Sequence, residues 1–127
     1  MNRKSALLLI AIVFMMASAA VAATPEDFKI KTARNLLELC TTPPDNPLQR
    51  EAVHFCHGFL VGSVAYHMAQ HSGPEGKPLV CFPDPGPSRN EAVTMFMDWL
   101  KAHPELMDER PVETEFRFLI EKWPCKR

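Results

Sequence analysis

The sequence lacks a charge excess of either sign, and it lacks the alternating apolar and polar runs that mark half-buried strands. Its 127 residues carry a formal net charge of −1, and 46% of them are hydrophobic. The absence of a basic excess disfavours nucleic acid and anionic membrane surfaces as partners. The length allows one small domain and is too short for two, and the apolar residues recur at helical spacing. The sequence therefore predicts a single all-α domain.

The first 22 residues lack any acidic residue and have the three-part layout of a secretory signal peptide. Arg3 and Lys4 precede the apolar run ALLLIAIVFMM and the small residues ASAAVAA. This apolar run is shorter than the roughly 20 residues that span a bilayer, which favours cleavage, after Ala22 or Ala23, over an uncleaved anchor. The exported domain, residues 23–127, then keeps 12 basic and 15 acidic residues, a net charge of −3. We therefore expect a periplasmic protein without membrane contact once the signal peptide is removed.

Four helices are predicted in the exported domain, because apolar residues at helical spacing lie between clear start and stop signals. The predicted helices cover residues 33–40, 46–71, 88–103 and 111–123. Thr32, Asn46 and Ser88 are the expected N-caps of the first three, and Pro111 can start the fourth. The apolar stripe of the fourth helix is expected to comprise Val112, Phe116, Leu119, Ile120 and Trp123. Glycine and proline dominate the segment between the second and third helices, which predicts a long loop tied down at Cys81.

The second helix has no formally charged residue between Glu51 and Glu75, so it is expected to be the buried centre of the domain. Four of its residues form a small-residue face that would let a neighbouring helix approach closely. These residues are Gly58, Gly62, Ala65 and Ala69. A membrane dimer built on the Gly-x-x-x-Gly spacing is the alternative, and it is disfavoured because the run is too short to span a bilayer.

Neither a catalytic thiol nor a metal site is favoured by the cysteines and histidines of this helix. Cys56 and His57 are neighbours, and consecutive residues on a helix point about 100° apart, so the imidazole would not take the thiol proton. The pairs His54 with His57 and His67 with His71 have metal-ligand spacing. The sequence offers them no Cys-x-x-Cys motif, carboxylate partner or third histidine at a ligand spacing. We therefore expect no enzyme activity, no metal and no cofactor.

All four cysteines, Cys40, Cys56, Cys81 and Cys125, lie in the exported part, where an even count predicts disulfides. Four cysteines allow three pairings. A hairpin of the first two helices brings Cys40 to Cys56, and an antiparallel pair formed by the third and fourth helices brings Cys81 to Cys125. We predict these two bridges.

Five segments in this order resemble the Tai/Rap family of type VI secretion amidase immunity proteins. They are NLLELC, FCHGFLVGSVA, CFP, AVTMFMDWLKAHPE and FLIEKWPC, and together they extend from about Asn35 to Cys125. The resemblance implies a small helical periplasmic protein that binds a secreted amidase effector and protects the cell from it, often as a homodimer. It also implies an inhibitor rather than an enzyme.

Two surface segments are the candidates for inhibition, residues 73–87 and 104–111. Their candidate partner-binding residues are Phe82, Asp84, Glu105, Met107, Asp108 and Glu109. Phe82 and Met107 are the expected apolar anchors, and the carboxylates could meet a basic rim on the effector. The alternative function is a periplasmic helical stress protein or acid chaperone, since five histidines and many carboxylates would protonate at low pH and loosen the domain.

Overall fold

The structure is a computed structural model that describes residues 23–126, and it confirms the all-α prediction. Its four α-helices are α1 (Ala33–Cys40), α2 (Gln49–Gln70), α3 (Arg89–Lys101) and α4 (Pro111–Lys122). Short 3-10 turns at Asp27–Lys29 and Pro104–Leu106 precede α1 and α4. Within residues 23–126 there is no strand, only an isolated antiparallel bridge between Val80 and Pro124. The predicted signal peptide lies outside the described residues.

The helix starts predicted from capping residues hold for α1 and α3. The Thr32 side chain accepts a hydrogen bond from Asn35 N while the Asn35 side chain accepts one from Thr32 N, and Ser88 and Glu91 form the same reciprocal pair. Each pair satisfies backbone N–H groups that have no partner inside the helix. Local sequence alone therefore fixes where these two helices begin.

The predicted N-cap of α2, Asn46, lies two residues before the observed N-cap, Leu48. Asn46 Oδ1 accepts a hydrogen bond from Leu48 N at 2.8 Å, and Gln49 N donates to Asn46 O at 3.0 Å. These bonds close a turn ahead of the helix, which itself begins at Gln49 and ends at Gln70. Asn46 thus uses its side chain for a turn within the connection rather than for the helix cap.

The prediction that α2 is buried all round is wrong, and so is the prediction that its small-residue face packs against a neighbouring helix of the domain. The buried residues of α2 lie on one stripe: Ala52, Cys56, Leu60 and His67. By contrast, Gly58, Gly62, Ala65 and Ala69 are all exposed. A Cβ atom added to either glycine would meet nothing within 4 Å. The three other helices have 8, 13 and 12 residues, too few to surround a helix of 22.

The apolar stripe predicted for α4 is also rotated from the one observed. Val112 and Ile120 are 45% and 40% exposed. The buried side chains of α4 are Pro111, Thr114, Glu115, Phe118 and Leu119. The Thr114 hydroxyl is satisfied inside the helix by Pro111 O at 2.8 Å, which lets a polar residue occupy the core. The polar side chain of Glu115 on this face was not anticipated.

The core joins all four helices around a few large side chains. Leu36 and Leu39 of α1, Phe96 and Leu100 of α3 and Cys56 of α2 are at most 2% exposed. The Phe96 and Phe118 rings lie 5.4 Å apart and connect α3 with α4. Burial of such side chains typically contributes about 1.5–3 kcal/mol each, so this cluster supplies much of the drive to fold.

Both predicted disulfides are present. Cys40 and Cys56 are bonded across α1 and α2 with a Cα–Cα distance of 5.2 Å, and Cys81 and Cys125 are bonded with a Cα–Cα distance of 4.9 Å. Cys56 is fully buried, whereas Cys81 is exposed. The first bridge therefore belongs to the core and the second to the surface.

Candidate protein-binding surfaces

The long connection between α2 and α3, residues 71–88, is held to the body of the domain at several points, and we call it the anchored loop. The Cys81–Cys125 bridge ties it to the C-terminal segment, and Cys81 N donates to Trp123 O at 3.0 Å. Val80 is buried at the same place. These contacts fix the middle of a loop that would otherwise be mobile at this length.

The first part of the anchored loop is fixed by α2. His67 is 4% exposed, and its Nε2 accepts a hydrogen bond from Leu79 N at 3.3 Å. Burial lowers the pKa of His67, and the neighbouring His71 lowers it further, so the neutral ring that can accept this bond is favoured. A Cβ at Gly76 would come within 2.3 Å of His71 O. Only glycine therefore allows the loop to approach the end of the helix so closely.

The structure places the loop residues predicted to bind a partner near one another in the chain and at the surface. Phe82 is 38% exposed and its ring centroid lies 5.5 Å from that of Trp123. Asp84 is exposed two residues further on, and Leu79 is 53% exposed. The anchored loop thus presents two apolar side chains and a carboxylate from a braced backbone.

The second predicted segment, residues 104–111, is equally well fixed, but one of its residues is not available to a partner. Met107 is 8% exposed and packs in the core, so its prediction as an apolar anchor is wrong. Its carbonyl oxygen accepts a hydrogen bond from Arg34 N at 2.9 Å. The carbonyl oxygen of Glu109 accepts one from Ala33 N at 2.8 Å. The segment therefore closes the N-terminus of α1, and this role keeps Met107 inside.

The carboxylates of the same segment are exposed. Asp108 forms an ion pair with Arg34 at 3.1 Å, and both side chains are more than half exposed. Glu105 and Glu109 are exposed as well. An exposed ion pair of this kind contributes little to stability, so these charges are free to act on a partner.

A large groove with almost entirely apolar walls opens between α2, α3, α4 and the anchored loop, and we call it the apolar groove. Its cavity volume is about 520 Å³. Its lining residues include Val61, Val64, Ala65 and Met68 of α2, Ala92, Val93 and Phe96 of α3, Glu115, Phe118 and Leu119 of α4, and Phe82, Pro87 and Trp123. Its size lies in the range of small-molecule sites.

Glu115 is the only acidic residue among the described residues that line the apolar groove. Its side chain is 3% exposed, and its Oε2 lies 2.5 Å from Ser63 Oγ. Burial raises the pKa of Glu115 to about 8, and the Ser63 hydrogen bond only partly opposes this effect. Ser63 Oγ also donates to Leu60 O at 2.8 Å. One serine proton cannot serve both acceptors, and a protonated Glu115 can donate in its place.

Sequence analysis missed both Glu115 and Ser63. Pro111, Thr114, Phe118 and Leu119 follow helical spacing around Glu115, and this second stripe was the available signal. A carboxylate within such a stripe is usually taken as a reason to reject it. The groove is formed by residues from separate helices, so no single stretch of the sequence predicts it.

Residues 23–126 contain neither a metal-binding cluster nor a free thiol. No three His, Cys, Asp or Glu side chains come close enough there to hold a metal ion. Every cysteine of this part of the chain is in a disulfide, so Cys56 carries no thiol. Over the same residues no helix combines the length and the apolar character needed to cross a membrane.

Comparison with known proteins gave one finding. A family model described as Rap1a immunity proteins matches residues 32–125, which covers all four helices and all four cysteines. Neither the comparison with curated proteins nor the comparison with solved structures gave a match. Since the matched residues make up well over half of the sequence, the chain belongs to the Rap1a immunity proteins.

Proposed function

We propose that this protein binds and inhibits a peptidoglycan amidase delivered by type VI secretion, and that it does so in the periplasm. Membership in an immunity family supports a protein partner that is a secreted effector. The observation that carries the proposal beyond the family is the anchored loop, whose exposed Leu79 and Phe82 stand on a backbone fixed by a disulfide and by His67.

Inhibition by such a loop requires no chemistry from this chain. An amidase of this class holds its nucleophile in a groove that must admit a glycan-linked peptide, and a rigid loop inserted there excludes the substrate. Because the loop is ordered before binding, little conformational entropy is lost when the complex forms. Phe82 supplies apolar contact area and Asp84 supplies a charge at the same tip.

The exposed carboxylates of residues 104–111 support a second contact with the same effector. Glu105, Asp108 and Glu109 form an acidic edge beside the N-terminus of α1. Charges at the rim of an interface mainly raise the association rate and select the partner. We therefore assign these residues to steering and the anchored loop to blocking.

We also propose that the small-residue face of α2 packs against a second copy of the chain. Gly58, Gly62, Ala65 and Ala69 are exposed, so a helix could approach them closely only from another molecule. A Cβ at Gly62 meets nothing within 4 Å, so Gly62→Leu should leave the monomer folded. Light scattering should then show a dimer for the wild type and a monomer for Gly62→Leu. A monomeric wild type at micromolar concentration would contradict this proposal.

The inhibitory function is tested by viability. The neighbouring genes are searched for an amidase effector, which is directed to the periplasm with and without this protein, and survival is counted. We expect full protection by the wild type and reduced protection by Phe82→Ala combined with Asp84→Ala. Ile120→Ala is the matched control, because Ile120 is 40% exposed and Phe82 is 38% exposed. An amidase that kills despite the wild-type protein would contradict the proposal.

A further inference from the structure

The apolar groove has one polar feature that its walls do not explain, the carboxyl of Glu115. In the described part of the chain, Ser63 is the one side chain that hydrogen-bonds to this carboxyl, and no Lys, Arg or His nitrogen lies within ion-pair distance of it. A buried carboxyl usually has a cation or several donors beside it. This one has neither, and it lines an open cavity.

The residues that line the groove restrict the chemistry of a ligand that could bind there. Among the described residues of the lining, those from α2 are uncharged, and the only charged residue besides Glu115 is Arg89, which is exposed at the first position of α3. A ligand that fills the groove must therefore be apolar along most of its length. Where it reaches Glu115 it can supply the positive charge that the protein itself does not provide.

The exposed apolar side chains around the opening of the groove indicate that the positively charged group belongs to a protein rather than to a small molecule. Val61, Met68 and Phe82 are 40%, 60% and 38% exposed and surround the opening together with the anchored loop. A small molecule inside the groove would leave these side chains in water, whereas a protein surface would cover them. The opening also adjoins Phe82, which the proposed function already places in the interface.

We propose that the apolar groove receives a lysine or arginine side chain of the partner protein, whose methylene stem packs between α2, α3 and α4 while its charged head pairs with the carboxylate of Glu115. This proposal rests on the proposed function for the identity of the partner, but the chemistry of the pocket does not depend on it. On binding, Glu115 releases its proton to solvent and the incoming cation takes its place. The charge of the groove is then balanced.

The energetics of Glu115 agree with a role in binding. Its pKa of about 8 means that the free protein keeps it neutral at pH 7. A glutamine or a leucine would fold there without any proton uptake, so the carboxyl is unfavourable for folding at neutral pH. Residues that lower stability in this way are typical of binding sites, where they are needed for the ligand.

The pocket itself is tested with n-hexylammonium as the probe, with n-hexanol and hexanoate as the comparison ligands. Hexylammonium should bind the wild type at least tenfold more tightly than hexanol does, and hexanoate should bind least. Calorimetry at pH 6.5 in two buffers of different ionisation enthalpy should show release of about one proton for each hexylammonium bound. Its affinity should rise about tenfold per pH unit up to a pH of about 8 and then level off.

The test variant is Glu115→Gln, which keeps the shape of the side chain and removes the charge. We expect it to lose the preference for hexylammonium, the proton release and the pH dependence, while its affinity for hexanol stays unchanged. Glu113→Gln is the matched control, since Glu113 lies on the same helix, pairs with Arg110 and Arg117, and does not line the groove. Equal binding of hexylammonium by Glu115→Gln and the wild type would overturn the proposal. So would the absence of binding at about 10 mM probe.

Binding of the effector by the wild type and by Glu115→Gln distinguishes a failure of this inference from a failure of the proposed function. If the wild type binds the effector and Glu115→Gln binds it at least tenfold more weakly, both stand. If the two proteins bind equally well, the groove is not used and only this inference fails. If the wild type does not bind the effector at all, the proposed function fails, and the hexylammonium result alone decides whether the groove is a cation site.

Discussion

The two halves of α2 are both largely apolar but have very different surroundings. In residues 49–60, Ala52, Cys56 and Leu60 are buried and a disulfide joins the helix to α1. In residues 61–70, His67 is the single buried residue, while Tyr66 and Met68 are 65% and 60% exposed. Both halves are apolar and free of formal charge after Glu51. One helix therefore carries the stability of the domain at its start and a candidate binding surface at its end.

The disulfides repeat this division, because one crosslinks the core half and the other crosslinks the loop beside the exposed half. From the loop lengths, with sequence separations of 16 and 44, they contribute roughly 3 and 4 kcal/mol. Reducing both should remove about 7 kcal/mol, comparable to the whole stability of a small domain. Urea unfolding with and without dithiothreitol measures this loss, and an unchanged midpoint would contradict it.

The same experiment under mild reduction sharpens the comparison. Cys81 is exposed and Cys56 is fully buried, so the thiolate reductant reaches the loop bridge first. Alkylation followed by mass spectrometry should find Cys81 and Cys125 modified while Cys40 and Cys56 remain joined. Reduction in the opposite order would mean that the core half opens more readily than the structure indicates.

Two adjacent residues divide the halves and give a matched pair of substitutions. Leu60 is 8% exposed and Val61 is 40% exposed. Leu60→Ala should cost about 2–5 kcal/mol of unfolding free energy, because it leaves a cavity between α2 and the rest of the core. Val61→Ala should cost within about 0.5 kcal/mol, since Val61 is on the exposed side of α2 and its truncation leaves no closed cavity. Chemical denaturation measures the unfolding free energy of both variants. Equal losses would contradict the assignment of Leu60 to the core and Val61 to the surface.

Glu115 packs against the exposed half of α2, and its substitution should raise stability in a pH-dependent way. Its pKa is about 8 in the folded chain against an ordinary value of 4.5. The folded state therefore holds a proton that the unfolded state loses above pH 4.5, so the wild type loses stability between pH 4.5 and about 8. At pH 7 this loss is about 3 kcal/mol.

Glu115→Gln has no such proton and should be about 3 kcal/mol more stable than the wild type at pH 7 and about equal to it at pH 4. Denaturant midpoints at the two pH values measure the difference. Glu113→Gln, on the same helix but partly exposed, is the control variant. A constant difference between Glu115→Gln and the wild type at pH 4 and 7 would show that the carboxyl is ionised in the folded protein.

The smallest expected effect concerns the contact between α2 and the anchored loop. In Gly76→Ala the new methyl would lie 2.3 Å from His71 O, so the backbone must shift. The cost in global stability should be about 1 kcal/mol, because the loop moves while the core stays in place. Hydrogen exchange at Leu79 N, which donates to His67, should accelerate at least tenfold. Gly73→Ala, where a Cβ meets nothing within 4 Å, is the control.

The sequence predicts those features of the structure that depend on residues close together in the chain. The capping pairs Thr32 with Asn35 and Ser88 with Glu91 involve residues three apart, and both were predicted correctly at their N-caps. The prediction of Asn46 as an N-cap was wrong because an asparagine side chain can cap a helix or close a turn equally well. In the structure Asn46 closes the turn, by accepting a hydrogen bond from Leu48 N.

The predicted partner-binding residues also show that contacts between residues far apart in the chain are not predicted from local sequence. Phe82 was expected to be exposed and is, since it follows a cysteine in a segment rich in proline and glycine. Met107 was expected to be exposed and is buried, because residues 107–109 close the N-terminus of α1, which lies about 70 residues earlier in the chain. No pattern near Met107 carries that information.

The sequence by itself determined that four helices form, because periodicity, caps and breakers act within a few residues. It also favoured the observed cysteine pairing among the three possible, because short connections predict one helical hairpin for each bridge. Only the tertiary structure decided which side of each helix faces the core. Consecutive residues lie about 100° apart on a helix, so the rotation of α4 about its axis decides that Glu115 is buried against Ser63 while Val112 and Ile120 stay exposed. The neighbouring helices choose that rotation by the total surface they bury, and this choice created the apolar groove with a carboxyl in its lining.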